Sequence, residues 1–126
     1  MKAEKLQSVL GLDAENRYGY FIRKVADSTS VWSLENDGWA IAADGTGEKL
    51  APFWPEEAFA AACATDVWSA FKPKSIDLSD FLEKWLPGLK RDGMNAVIFP
   101  TPNDKGVIKD PSDVRSDLLL ESKQYE

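Results

Sequence analysis

The side chains that could run chemistry in this chain are carboxylates, tyrosines, lysines and a single thiol, because it contains no histidine. That absence removes Ser-His-Asp and Cys-His nucleophile systems, the usual general base near neutral pH, and most zinc, copper and non-haem iron sites. Three groups of carboxylates invite inspection: Asp37 with Asp44 and Glu48, Glu56 with Glu57, and Asp77 with Asp80. The first could surround a cation only if two hairpin loops converged, and it lacks calcium-loop spacing; aspartates in turns serve the local backbone in any case. The other two pairs stand where helix starts favour acids, so capping explains them better than an acid and base pair. Gly45-Thr46-Gly47-Glu48-Lys49 has the flavour of a phosphate loop, yet no Ser or Thr follows the lysine, and the segment joins two strands instead of opening a helix. No catalytic set, metal site or cofactor is therefore assigned. If the chain were an enzyme or a small-ligand binder, Tyr18, Glu56 and Asp77 would be the participants to test.

The thiol is Cys63, in Ala58-Phe59-Ala60-Ala61-Ala62-Cys63-Ala64. Phe59, Ala62 and Cys63 share a helical face at three- and four-residue spacing, which predicts a packed core cysteine. A lone cysteine also excludes an internal disulfide.

Composition sets the frame for these groups. With 126 residues, 44% apolar and 29% charged, the chain fits one compact domain over 1–126 with a single core. A net charge of −6 with no dense Lys/Arg run argues against nucleic acid and anionic membrane as partners. Met1-Lys2-Ala3-Glu4-Lys5 leads into a mixed segment without an apolar leader, so a soluble, cytoplasmic protein is expected.

Asp13 is a credible N-cap for a helix in which Ala14, Tyr18, Phe21, Ile22 and Val25 recur at helical spacing, with Arg17, Arg23 and Lys24 facing away, ending near Asp27-Ser28. Strands at Val31 to Glu35 and Trp39 to Ala43 flank the turn Asn36-Asp37-Gly38, and Asp44-Gly45-Thr46-Gly47 delivers a third strand from Glu48 to about Phe53. Residues 31–54 thus read as an antiparallel meander, with Pro52 at a strand end or edge. Pro55, Glu56 and Glu57 open a helix running to about Ala64. Lys72 to Leu78 reads as a short strand, Asp77 or Ser79 as the cap of the next helix, and Pro87-Gly88 as a kink or stop in the apolar run Phe81 to Leu89. Asn95 to Pro100 is apolar without alternation, as in a strand covered on both faces, and turns through Pro102 to Gly106 into Val107-Ile108-Lys109. Asp110-Pro111-Ser112-Asp113 starts a final helix that buries Val114 and Leu118 and frays near Tyr125. The result is an α+β (mixed α/β) fold: an antiparallel meander extended into a five- or six-stranded sheet covered by about four helices.

Five tryptophans punctuate this order. Trp85 fits a buried helix face, and Trp32 and Trp39 alternate on half-buried strands. Trp54 and Trp68 bracket the Ala-rich helix in irregular segments near Phe71, Lys72 and Lys74, a composition typical of interaction hot spots.

Arg17-Tyr18, Tyr20 to Asp27, Val31-Trp32, Asp37-Gly38-Trp39-Ala40, Phe53-Trp54-Pro55, Pro73-Lys74, Phe81 to Leu89, and Phe99-Pro100-Thr101-Pro102 together resemble the bacterial family called domain of unknown function 2750. The resemblance covers nearly all of the chain after residue 12 and implies a small cytoplasmic bacterial protein without an established activity. A fainter similarity in element pattern to the SseB N-terminal domain implies the mixed α/β fold and nothing of function. The leading expectation is a non-enzymatic module that binds another protein, or itself, through Trp54, Trp68, Phe71, Lys72 and Lys74, its negative charge suiting a basic partner. The alternatives are a small-ligand binder or carboxylate-based enzyme, and a structural subunit of an assembly.

Overall fold

The computed structural model describes residues 2–43 and 45–125. Asp44 lies outside that range, and with it the expected turn at 44–47 and the carboxylate trio it completes.

Helix α1 (Ala3–Leu10), which the mixed opening segment did not suggest, turns Leu6, Val9 and Leu10 toward the core. Helix α2 (Ala14–Ser28) begins as its sequence dictates: the Asp13 carboxylate accepts from the Asn16 N–H at 2.8 Å, satisfying one of the orphan donors of the first turn. It ends where Thr29 adopts a left-handed conformation (φ 59°) and donates its N–H to the Val25 carbonyl.

Strand β1 (Ser30–Glu35) pairs antiparallel with β4 (Lys72–Asp77), from Ser30↔Asp77 to Glu35↔Lys72. Strands β2 (Ala42–Ala43), β3 (Lys49–Phe53), β5 (Asn95–Ile98) and β6 (Val107–Lys109) form a second sheet in the order β2-β3-β5-β6, with β3 and β5 parallel. The mixed α+β class and the six strands agree with the sequence reading; the strands divide between two sheets instead of extending one meander. The reason is at Trp54, just past β3, which exchanges two backbone hydrogen bonds with Trp32 (2.9 and 2.8 Å) and so takes the edge of β1 that a second hairpin arm would need. The Asn36-Asp37-Gly38 turn forms, with Asp37 at φ 52°, but its second arm pairs only through Glu35↔Trp39 and Ala40 before leaving. Pro52 tolerates its place inside β3 because β2 reaches only Lys49 and Leu50, and the Ser33 hydroxyl donates to the Pro52 carbonyl at 2.8 Å.

Helix α3 (Glu57–Ala62) and a 3₁₀ turn (Asp66–Trp68) lead to β4, and Asp77 then caps α4 (Leu78–Asp80) by accepting from the Ser79 N–H. The helix does not stop at Pro87. A π-helical turn (Phe81–Trp85), in which the Leu86 N–H reaches back to the Phe81 carbonyl, precedes α5 (Leu86–Arg91) and makes room for the proline ring one turn later. Helix α6 (Pro111–Ser122), capped by Asp110, closes the fold and buries Val114 and Leu118.

Both sheets feed one core. Phe53 meets Phe81 (4.8 Å, 75°) and Trp85 (5.9 Å, 84°) edge to face, and Trp39 meets Trp85 likewise at 4.6 Å. Trp54 is fully buried, and its indole N–H donates to the Pro100 carbonyl at 2.8 Å. Trp54→Phe, which removes that donor at the junction of the sheets, is expected to cost about 2–3 kcal/mol in urea unfolding, from a lost buried hydrogen bond plus lost volume.

Candidate functional site

Strand alternation gives the four-stranded sheet two unlike faces. Ala51, Phe53, Ala96 and Ile98 face the core, whereas Leu50 and Val97 are buried without belonging to it. With Ala42 opposite Leu50 and Ile108 opposite Val97 in register, they floor a cleft of about 410 Å³ on the second face. Its walls are Trp68 and the loop from Pro100 to Lys105. An apolar floor under a few polar rim groups, here Thr101, Asn103, Asp104 and Lys105, is the usual make-up of a binding site.

The rim loop is held in a costly shape. It departs from β5 through Phe99, whose φ of 57° places a bulky side chain in the left-handed region. The Phe99 N–H donates to the Phe53 carbonyl at 2.9 Å, and its ring packs at 4.8 Å on Phe59. Where the loop returns, Gly106 (φ 81°) passes so close that a Cβ would lie 2.6 Å from the Ile98 carbonyl oxygen, so glycine is required twice over. Pro100 has its carbonyl bound by the Trp54 indole and by the Cys63 thiol at 3.3 Å.

Arg17 ties these pieces together, and here the sequence reading is corrected. Expected to face away from the core, it is 2% exposed. Arg17, Phe21 and Val25 follow one another four residues apart, so the arginine stands on the buried stripe of α2. Its Nε donates to the Phe99 carbonyl at 3.1 Å, Nη1 donates to the Leu12 carbonyl, and Nη2 pairs with the Asp104 carboxylate at 2.7 Å. The Asp104 side chain is half exposed at the cleft rim, and the Arg17 guanidinium holds its carboxyl below the usual carboxylate range.

Of the five residues expected to meet a partner, Trp68 alone lines this cleft, with its ring edge-on to Trp54 at 6.1 Å. Trp54 has no exposed surface to offer, which removes it from the expected contact set. Phe71 is half-buried against the core. Lys72 and Lys74 lie on β4 of the other sheet, where Lys74 pairs with Glu35 at 3.3 Å and sits 5.7 Å over the Trp39 ring. The cleft residues Leu50, Val97, Ile108 and Asp104 went unremarked as site residues because they come from separate segments that only the sheet register unites.

A family described as Protein of unknown function (DUF2750) matches residues 18–118. The chain belongs to this family. No curated protein and no solved structure matches it. Within the DUF2750 span, the groups considered for catalysis are engaged separately: Tyr18 donates to Asp117 at 2.5 Å, Tyr20 to Glu56 at 2.5 Å, and Asp77 caps α4. Burial, aided by the neighbouring carboxylate, raises both phenols above their ordinary pKa. Among the described residues no three Cys, Asp or Glu side chains converge as a metal site. No helix among them is long and apolar enough to cross a membrane.

Arg17→Met keeps the stem but takes the guanidinium donor from the buried Phe99 carbonyl and from the carbonyl of the exposed Leu12; a loss of about 2–4 kcal/mol is expected in urea unfolding. The contribution of Asp104, whose folded pKa is depressed, is fully present above the unfolded carboxylate value of about 4 and is lost as pH falls through the lower folded value. The stability gap between the parent and Asp104→Asn should therefore narrow on acidification, as unfolding at pH 7 and at low pH would show. Burial pushes the Cys63 thiol up to about 11, more than the hydrogen bond from Trp54 lowers it. Cys63 should resist iodoacetamide at pH 8 in the folded chain and react promptly in urea, with mass spectrometry as the readout.

Proposed function

We propose that the chain is a non-enzymatic protein-binding module, and that its contact surface is the cleft face of the four-stranded sheet. The observation that carries this reading is exposed apolar surface on the cleft floor and in the segment that supplies its wall. Ile108 on the floor is 48% exposed, and Val67, next in the chain to the wall residue Trp68, is 86% exposed. A small molecule in the cleft would leave the wall segment wet, whereas a protein partner that inserts one apolar side chain and lies over that segment covers both. The net charge of −6 suits a basic partner approaching a largely apolar contact. The reading includes the bacterial, cytoplasmic setting that the family resemblance implies.

A second reading, a small apolar ligand, is favoured by the volume alone, since about 410 Å³ falls within the range of small-molecule sites.

The test uses exposed positions whose replacement spares the core. The tagged chain captures a partner from native lysate, the partner is purified, and its affinity is measured by calorimetry for the parent, for Val67→Asp with Ile108→Asp, and for Leu120→Asp on α6 as a control. A tenfold or greater loss, about 1.4 kcal/mol or more, for the cleft variant alone is expected. Equal affinity across all three, or a cleft occupied by a small molecule that displaces no protein, would overturn the protein-binding reading.

A further inference from the structure

A second hollow, of about 220 Å³, lies away from the cleft between α1, α2 and the C-terminal turn, lined by Lys5, Tyr20, Arg23, Lys24, Asp27 and Tyr125. We infer that this hollow is an anion site that takes the phosphate group of a small phosphate-bearing molecule. Three cations face one carboxylate there, on a chain whose overall charge is −6. None of the three forms an ion pair or a side-chain hydrogen bond among the described residues. The excess of positive charge over Asp27 matches the charge of a phosphate monoester near neutral pH, about −1.5 to −2, better than that of a carboxylate. Behind Tyr20, Glu56 accepts a hydrogen bond from the tyrosine hydroxyl.

The arrangement is shaped as well as charged. Gly19 precedes Arg23 by one helical turn, and the Arg23 Nη1 lies 3.2 Å from where a Cβ on residue 19 would be. The bare glycine leaves room for the guanidinium to lie back along α2, and a planar fork of this kind is suited to two phosphate oxygens. The Tyr20 and Tyr125 rings complete the lining and offer apolar surface to the organic remainder of the ligand.

Orthophosphate is the probe, titrated into the full chain at pH 7.5 and followed by amide chemical shifts, with sodium chloride at matched ionic strength as the reference. Saturable shifts at Lys5, Gly19, Arg23 and Lys24 that chloride does not reproduce are expected. Arg23→Gln should weaken binding roughly tenfold by removing the fork. Gly19→Ala removes no charge and improves helix propensity, so the fold should be at least as stable, yet displacement of the guanidinium should weaken binding about threefold or more. Ile108→Asp should bind phosphate as the parent does, which separates this site from the cleft. Shifts reproduced by chloride would reduce the cluster to an ion atmosphere, and a Gly19→Ala chain that binds as tightly as the parent would remove the built geometry; either result overturns the inference.

Discussion

A guanidinium taken out of water must be met by acceptors, and in this chain the places that provide them are the ends of the structure that would otherwise be loose. Arg17 is 2% exposed and reaches the Leu12 carbonyl in the α1–α2 turn, the Phe99 carbonyl at the end of β5, and Asp104 on the rim loop. The contacts to Phe99 and Asp104 join segments far apart in sequence, and they fix α2 relative to the four-stranded sheet. The left-handed conformation of Phe99 is held by the same donor. A hydrophobic residue at 17 could pack there, but could not pay the hydrogen-bond demand of the two carbonyls.

The second organising element is Trp54. By bonding through its backbone to Trp32 and through its indole to Pro100, it joins the two-stranded sheet to the four-stranded one and presses the rim loop down from beneath. The two constraints act on adjacent residues of one loop, Phe99 and Pro100. The cleft therefore has one wall, Trp68, leaning on Trp54, and another anchored through Arg17, so its shape is tied to the packing of the whole chain.

Local features were legible in the sequence. Asp13, Asp77 and Asp110 cap the helices their positions suggest, Asn36-Asp37-Gly38 turns, and the uninterrupted apolar run Asn95 to Pro100 contains a strand buried within a sheet. What spacing could not give was partnership. The pairing of β1 with β4 and of β3 with β5 joins segments separated by whole helices, and nothing in a single strand names its neighbour. Arg17 was misplaced because its charge outweighed its position on the stripe with Phe21 and Val25, and Trp54 because an irregular local setting was equated with exposure. The cleft depended on both, and only Trp68 pointed to it.

The strand pairings are interleaved: β1 awaits β4, while β3, which lies between those two in the chain, awaits β5 beyond them. No point of division between β3 and β4 leaves either pairing whole. On the ribosome this means that the first half of the polypeptide emerges with β1 and β3 both lacking their long partners, and that Arg17 waits still longer for Phe99 and Asp104. The β1–β4 pairing can close once β4 is out, but synthesis must run almost to the last helix before β3 and Arg17 find their partners, so a ribosome that stalls before β5 holds a polypeptide with neither its cleft nor its central arginine in place.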